Sequence, residues 1–201
     1  MQTSSTGVFS GLGIAPSILN VINKFKFIHP TPIQEKAIPI GLEGKDLVGI
    51  AQTGTGKTLA FGIPMIQRAL QSNGMGLVVL PTRELALQVN ESLRLVGDSL
   101  GIKTALIIGG ASMGHQISEI RRKPNIIIGT PGRIIDHLNQ RILSLADVKM
   151  LVLDEADRML DMGFAPQLKQ ILQHVPAERQ TLLFSATMPP EIMKIARNFM
   201  K

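Results

Sequence analysis

Eight consecutive residues have the types and spacing that could hold a phosphate group. They are Ala51-Gln52-Thr53-Gly54-Thr55-Gly56-Lys57-Thr58, between an apolar run and a segment with helical spacing. The two glycines let the backbone turn so that several N–H groups face one point, beside the positive end of the following helix. Lys57 would supply a positive charge to the β- and γ-phosphates, and the Thr58 hydroxyl could ligate Mg²⁺. The stretch therefore predicts a phosphate-binding loop.

The generic form of this loop begins with glycine, and Ala51 stands in that place. Alanine is the smallest substitute, so the change weakens the match only slightly. The alternative is a Gly-Thr turn that merely caps a helix.

A second group of chemically useful residues follows an apolar run at Met150 to Leu153. Asp154-Glu155-Ala156-Asp157 would stand at the carboxyl end of a strand, the edge where open α/β sheets bind ligands. There Asp154 could hold Mg²⁺ through water, and Glu155 could orient or deprotonate an attacking water. The alternative is an acidic cap on a helix. Combined with Gly56 and Lys57 upstream, the catalytic interpretation is favoured.

Strand-like and helix-like segments alternate from residue 46 onward, which predicts a three-layer α/β domain with a mostly parallel central sheet. Short, almost wholly apolar runs are typical of strands that helices cover on both faces. The predicted strands are Asp46 to Ile50, Gly76 to Leu80, Thr104 to Ile108, Asn125 to Gly129, Met150 to Leu153 and Thr181 to Phe184. Pro64 lies inside the helix expected after the phosphate loop, so we expect a kink or a local opening there.

Composition limits the class of protein. The 201 residues are 44% hydrophobic and 18% charged, which favours one globular domain, and no apolar run is long enough to span a membrane. The absence of cysteine excludes disulfides and thiolate metal sites and fits a cytoplasmic location. The net charge of +6 suits a polyanionic partner. Seven Phe with no Trp or Tyr leave few rings for base stacking, so contacts to a nucleic acid would involve its backbone.

The sequence Asp-Glu-Ala-Asp at 154–157 resembles the signature of the DEAD-box ATP-dependent RNA helicases. The family's other motifs follow in order: Phe27 to Gln34 is similar to its adenine-reading Q motif, and residues 51–58 to its phosphate loop, alanine included. Residues 81–86, 109–110 and 130–133 resemble its RNA-backbone motifs, and residues 185–187 its coupling motif. One departure is Lys26, where the family's Q motif usually has glycine. The resemblance runs from about Phe9 to the end of the chain.

The resemblance implies roles in binding ATP and Mg²⁺. Gln34 would read adenine, because a carboxamide can both donate and accept along the base edge. Phe27 would stack on the ring, Pro32 belongs to the same motif, and Phe9 would close the pocket. The alternatives are a glutamine on a helix surface and phenylalanines in the core.

The resemblance also implies an RNA-binding face that contacts phosphates and sugars largely without regard to base sequence. Asp157 would hydrogen-bond toward Ser185 and Thr187 and so couple the nucleotide site to RNA; the alternative is a buried polar cluster with a structural role. Each RNA motif taken singly could be a capping turn. The implied RNA-binding residues are Pro81, Thr82, Arg83, Gly109, Gly110, Thr130, Pro131, Gly132 and Arg133.

Helicases of this family pair two RecA-like domains, and the second carries a His-Arg-x-Gly-Arg motif that does not occur here. We therefore interpret residues 1–8 as a flexible tail and residues 9–201 as the first RecA-like domain, a monomer whose partner is the C-terminal domain of a longer protein. The isolated chain is expected to bind adenine nucleotide weakly, to hydrolyse it very slowly and not to unwind RNA.

Two other functions remain compatible with parts of the sequence. A non-enzymatic RNA clamp that uses ATP only to set its conformation would also keep Lys57, Asp154 and Glu155; strand-displacement assays on the full-length protein would distinguish it. An unrelated phosphate-loop ATPase, such as a transporter motor, is disfavoured by Gln34 and by Ser185-Ala186-Thr187. Equal affinity for GTP and ATP, unchanged in Gln34→Ala, would favour it.

Overall fold

The structure, a computed structural model, describes residues 8–72 and 74–201. Of the predicted tail, residues 1–8, the first seven residues lie outside the described part. Two short 3₁₀ helices, Phe9–Leu12 and Asp98–Leu100, accompany the longer elements. The helices are α1 (Pro16–Lys24), α2 (Pro32–Leu42), α3 (Lys57–Gln71), α4 (Arg83–Gly97), α5 (Met113–Arg121), α6 (Pro131–Asn139), α7 (Ala156–Asp161), α8 (Ala165–His174) and α9 (Pro190–Phe199). The strands are β1 (Leu47–Ile50), β2 (Met75–Val79), β3 (Thr104–Ile107), β4 (Ile126–Gly129), β5 (Val148–Leu153) and β6 (Gln180–Ser185).

The six strands form one sheet in the order β1-β6-β5-β2-β4-β3, and every neighbouring pair is parallel. The prediction of a mostly parallel sheet is confirmed, and the boundaries of the predicted strands agree with the observed ones to within two residues. The strand order matters for the site. It places β1, β6 and β5 side by side, so that the segments that follow these three strands meet at one edge of the sheet.

Helices cover both faces of the sheet, because successive strand residues point to opposite sides. In β2, Val78 joins a core cluster with residues of α1 to α4, whereas Leu77 and Val79 join a second cluster with residues of α6 to α9. The result is the three-layer arrangement expected from the sequence. No helix in the described ranges has the length and apolar character needed to cross a membrane.

Helix α3 continues through Pro64 without interruption, so the local opening, one of the two expectations, is wrong, and the kink stays a prediction. The proline is buried in the contact with α2, which also contains an internal proline, Pro39. A Cβ atom at Gly41 of α2 would lie 2.7 Å from Cγ of Pro64, so the two helices approach closely at this point. Packing against Gly41 thus offsets the hydrogen bond that a proline removes from a helix.

One edge of the sheet is closed by a side chain. Within residues 8–72 and 74–201, strand β3 pairs only with β4, so one side of its backbone has no strand neighbour there. On that side, the N–H of Leu106 donates to Oε2 of Glu119 at 3.3 Å, and Glu119 belongs to helix α5.

Helix α1 ends in a turn that favours glycine but contains lysine. The N–H of Lys26 donates to the carbonyl of Asn23, and the N–H of Phe27 donates to that of Ile22, which is the Schellman pattern of hydrogen bonds. Lys26 has a φ of 58°, in the left-handed region. Lys123 and Arg141 have the same conformation after α5 and α6. The helix end therefore gives a physical reason why glycine suits position 26.

We expect Lys26→Gly to raise the free energy of unfolding by about 1 kcal/mol, because glycine adopts this conformation without a Cβ clash. Lys26→Ala removes the same charge but keeps the Cβ atom, so it is the matched control and should bring no comparable gain. Urea denaturation of the two variants and the wild type measures the difference. Equal effects of glycine and alanine would show that backbone strain is not the cause.

Candidate functional site

The phosphate loop lies where β1 ends and α3 begins. The N–H of Ala51 donates to the carbonyl of Ser185 at 3.0 Å, which ties the start of the loop to the end of β6. Gly54 and Gly56 have φ values of 81° and 90°, so both glycines adopt backbone conformations that other residues strongly disfavour. Thr55 Oγ1 donates to the carbonyl of Gln52 at 2.7 Å. The loop is thereby folded in front of the first N–H groups of α3, which have no partner within the helix.

The centre of the site is a buried lysine between two carboxylates. Nζ of Lys57 lies 2.6 Å from Oε1 of Glu155 and 3.2 Å from Oδ1 of Asp154. All three side chains are less than one-tenth exposed. Thr53 Oγ1, from the loop, also donates to Oε1 of Glu155 at 3.0 Å. The structure thus brings together the predicted catalytic residues, and the two halves of the site meet through charged contacts.

The electrostatics of this cluster follow from burial and ion pairing. Burial lowers the pKa of Lys57, but Asp154 and Glu155 raise it by more, so the ammonium group stays charged at neutral pH. Burial raises the pKa of Asp154, against the opposing effect of Lys57. An anion that bound Lys57 in place of Asp154 and Glu155 would leave these two carboxyl groups without the cation that they share.

The backbone at Glu155 is strained. Its φ of 55° and ψ of 45° lie in the left-handed region, which costs a residue with a Cβ atom roughly 1–2 kcal/mol. Its N–H donates to Oδ1 of Asp154 at 2.9 Å, which closes the turn between β5 and α7. Strain of this kind collects at functional sites.

Gln34 is buried, so it is not a glutamine on a helix surface. Its Oε1 accepts from the N–H of Thr31 at 2.9 Å, and its Nε2 donates to the carbonyl of Gly56 at 3.0 Å. The side chain therefore connects the start of α2 to the phosphate loop. A Cβ atom at Gly56 would lie 2.6 Å from Nε2 of Gln34, so only glycine fits. Contact between Gln34 and adenine stays a prediction.

The other residues predicted to contact the nucleotide differ in their surroundings. Phe27 is 36% exposed, and Pro32 is an exposed residue at the first position of α2. Phe9 is 3% exposed and belongs to the core cluster that contains residues of α1 to α4. This position agrees with the alternative that Phe9 is a core residue. Contacts of these three residues with a nucleotide stay predictions.

The expected hydrogen bonds of Asp157 are present. Its N–H donates to Oγ of Ser185 at 3.0 Å, and its Oδ2 accepts from the N–H and the Oγ1 hydroxyl of Thr187 at 2.9 and 2.8 Å. Partial burial raises the pKa of Asp157, but hydrogen bonds with Thr187 and Ser185 lower it by more, so the pKa lies below its usual 3.8. The start of α7 is thus joined to the segment after β6.

The residues predicted to bind RNA lie at the ends of β2, β3 and β4. Oγ1 of Thr82 accepts from the N–H of Leu85 at 3.3 Å, so this threonine caps α4. Arg83 is exposed, and its guanidinium lies against Gly110, where any Cβ atom would overlap it. Gly110 also has a φ of 71°. The loop after β3 therefore leaves room for the arginine after β2.

Arg133 is held by the same loop. Its Nη1 donates to the carbonyl of Ala111 at 3.1 Å and to Oε1 of Gln116 at 3.3 Å. Nearby Thr130 and Pro131 are buried at the start of α6, whereas Gly132 is exposed and a Cβ atom there would meet nothing within 4 Å. Sequence reasoning missed Gln116 and its neighbour His137. The spacing of Arg133 and His137, one helical turn apart, was the available signal.

The donor set suits a magnesium nucleotide. Mg²⁺ in nucleotide sites usually takes one or two protein carboxylates or hydroxyls together with phosphate oxygens and waters. Asp154 and Thr58 have these groups, and the loop with Lys57 has the donors that phosphates need. Three or more His, Asp or Glu side chains do not gather into a metal site in the residues that the structure describes.

A parallel sheet with a glycine-rich loop after one strand and an acidic turn after another defines a phosphate-loop nucleotide-binding domain. A family model described as DEAD/DEAH box helicase matches residues 31–195. The chain belongs to this family and is similar to the first RecA-like domain of its members.

The relatives agree with this assignment. The ATP-dependent RNA helicase CshA of Listeria monocytogenes is 52% identical over 96% of this chain, and the ATP-dependent rRNA helicase RRP3 of Debaryomyces hansenii is 49% identical over 94%. The crystal structure of a DEAD box protein from Methanococcus jannaschii matches 96% of the chain with a TM-score of 0.90 and 42% identity. The chain covers 37% and 40% of those two helicases and 53% of that structure.

We expect Gly110→Ala to lower the free energy of unfolding by about 1–2 kcal/mol, because it forces a Cβ atom into a left-handed backbone and against Arg83. Gly109→Ala is the matched control, since a Cβ atom at Gly109 would meet nothing within 4 Å. Urea denaturation of both variants measures the effect. A loss of the same size in Gly109→Ala would contradict the structural reason.

The lowered pKa of Asp157 predicts a pH-dependent contribution to stability. A depressed folded-state pKa gives stability that is present above the usual value of 3.8 and is lost as the pH falls through the folded-state pKa. Asp157→Asn should therefore lower the unfolding temperature at neutral pH, by a margin that narrows below about pH 3.8. Circular dichroism melts across this range measure it, with Asp161→Asn, exposed at the end of the same helix, as control. A difference in unfolding temperature between Asp157→Asn and the wild type that did not change with pH would disprove the lowered pKa of Asp157.

Proposed function

We propose that this chain is the ATP-binding half of a DEAD-box RNA helicase that couples the binding and hydrolysis of Mg-ATP to RNA binding and local opening of RNA duplexes. The contact of Lys57 with Asp154 and Glu155 supports the proposal most directly, since it joins the phosphate loop to the carboxylates within hydrogen-bonding distance. Family membership gives the expected reaction, and the site contains the groups that this reaction needs.

The proposed roles follow from the positions of the residues. Nζ of Lys57 would leave its two carboxylates and donate to the β- and γ-phosphates, beside the N–H groups at the start of α3. Asp154 and Thr58 would hold Mg²⁺, whose chemistry is to neutralise phosphate charge. Release from Lys57 would free a carboxylate oxygen of Glu155 to orient a water molecule. Gln34, which already donates a hydrogen bond to the carbonyl of Gly56, would contact the adenine and the phosphate loop at the same time.

The RNA face would lie at the ends of β2, β3 and β4. Arg83 and Arg133 would contact phosphates through charge-assisted hydrogen bonds, and the N–H groups at the start of α6 would add to them. Such contacts depend on the backbone of RNA, so binding would be largely independent of sequence and sensitive to salt. Asp157, with Ser185 and Thr187, would connect this face to the nucleotide site.

A second RecA-like domain would complete the site. The relatives are more than twice as long as this chain, and arginine fingers of the kind that the second domain supplies are worth about 10³ to 10⁵ in rate. The 201 residues, proposed as a domain over residues 9–201, would accordingly bind nucleotide weakly and turn it over very slowly. A monomeric state and a cytoplasmic location remain expectations from the sequence.

The test is a titration of the chain with Mg-ADP by isothermal calorimetry, combined with ATP turnover with and without single-stranded RNA. We expect binding in the wild type, little turnover and no strand displacement. Lys57→Ala should weaken ADP binding by about 2 kcal/mol, or roughly 30-fold, because a charge-assisted contact to phosphate is lost.

Lys169→Ala, an exposed lysine on α8, is the control and should bind as the wild type does. Thermal melts separate a loss of affinity from a loss of folding, since Lys57→Ala leaves two buried carboxylates without a cation. Unchanged ADP affinity in folded Lys57→Ala would refute the proposed phosphate site. RNA-stimulated turnover or duplex unwinding by the wild-type chain would refute the need for a second domain.

A further inference from the structure

Gln116 connects three parts of the RNA face through one buried amide. The side chain is 2% exposed, although the other residues of its helix, α5, are exposed or half-buried. Its Nε2 donates to the carbonyl of Ile108 at 2.8 Å, at the end of β3. Its Oε1 faces α6, with Nη1 of Arg133 at 3.3 Å and Nε2 of His137 at 2.8 Å. Both ends of the amide are therefore in use.

The hydrogen bonds determine the state of His137. Because Oε1 of Gln116 can only accept, Nε2 of His137 must carry the proton that it donates. The imidazole is fully buried, and its Nδ1 has no hydrogen-bond partner among the residues that the structure describes. Burial and the nearby charge of Arg133 lower the pKa of His137, and Asp136 opposes them. His137 is therefore a neutral donor that fixes Oε1 of Gln116 from one side.

This arrangement holds the Nη1 group of the Arg133 guanidinium. Nη1 is bound to Ala111 and Gln116, and Nε lies 3.6 Å from Oδ2 of Asp136. Nη2 donates to none of the residues that the structure describes. The side chain is only 14% exposed, so its stem cannot turn freely. Nη1 is thus held inside the protein, Nε is buried beside Asp136, and Nη2 is the donor left for a ligand.

We propose that Gln116, oriented by His137, is the positioning residue for Arg133 and presents this arginine to an RNA phosphate. The inference rests on the proposed function, because it takes RNA as the ligand of Arg133. The amide also fixes the loop after β3 relative to the start of α6, so Arg83 over Gly110 and Arg133 beside Ala111 keep a constant separation. The ligand class is a phosphodiester backbone. Its successive phosphates would need the guanidinium groups of Arg83 and Arg133 at a fixed separation.

A measurement without RNA tests the positioning itself. Nitrogen-15 NMR of arginine side chains reports how freely each guanidinium rotates. In Gln116→Met, which keeps an unbranched side chain of similar length, the Arg133 group should rotate faster than in the wild type. Gln180→Met is the matched control, because Gln180 is equally buried and its Nε2 also donates to backbone carbonyls, at the opposite end of the sheet. Unchanged Arg133 rotation in Gln116→Met would overturn the proposal.

A double-mutant cycle tests the consequence for RNA. Binding of a fluorescein-labelled oligouridylate is measured by anisotropy at low ionic strength, where phosphate contacts are strongest. Arg133→Ala should weaken binding about tenfold and Gln116→Met about fivefold, with little further loss when the two are combined. Mg-ADP affinity should be unchanged in both. A merely structural role of Gln116 predicts losses that add, and additive losses would refute positioning.

The two experiments separate two kinds of failure. If Arg133→Ala binds oligouridylate as the wild type does, then RNA contact by Arg133, and with it part of the proposed function, is wrong. The NMR comparison would still decide whether Gln116 and His137 hold the guanidinium. If Arg133 matters for RNA but Gln116→Met changes neither rotation nor affinity, the proposed function survives and this inference falls.

Discussion

The buried contact of Lys57 with Asp154 and Glu155 is the constraint on which the site depends. A lysine ammonium group with so little exposure is stable only because the two carboxyl groups surround it, and removing one partner of such a set costs several kcal/mol. The contact also joins two segments at the carboxyl edge of the sheet, since Lys57 begins α3 and the carboxylates follow β5. A phosphate that bound to Lys57 would compete with Asp154 and Glu155 for the same ammonium group.

The sequence predicts the fold well because its signals are local. Each strand is a short apolar run, and burial on both faces requires no other pattern. The phosphate loop is equally easy to predict from the sequence. Its glycines, lysine and threonine must follow in a fixed order if the chain is to pass from a strand to a helix around an anion. The strand order, by contrast, depends on how the crossovers pack. The meeting of Lys57 with Asp154 could be expected only from the rule that ligands gather at strand ends.

The features that sequence reasoning missed depend on contacts between distant residues. Gln116 is an ordinary helical glutamine in sequence, and its partners at Ile108, Arg133 and His137 belong to other elements. The uninterrupted helix at Pro64 has the same origin, because only the fold brings Gly41 against the ring. The left-handed backbone of Glu155 has no local cause in residue type and follows from the turn that places both carboxylates on Lys57. Local propensity gives way where tertiary packing determines the conformation.

The hydrogen bond from Leu106 to Glu119 has a consequence for how molecules of this domain behave toward one another. An unpaired strand edge is a template on which a second chain can add a strand, the first step of many aggregates. At β3 the carboxylate of Glu119 occupies an N–H group that an incoming strand would need, and it places a negative charge beside the others. The opposite edge strand, β1, instead exposes Val48 and Ile50. The carboxylate of Glu119 therefore makes the β3 edge a poorer template for a second chain, whereas β1 carries two exposed apolar side chains.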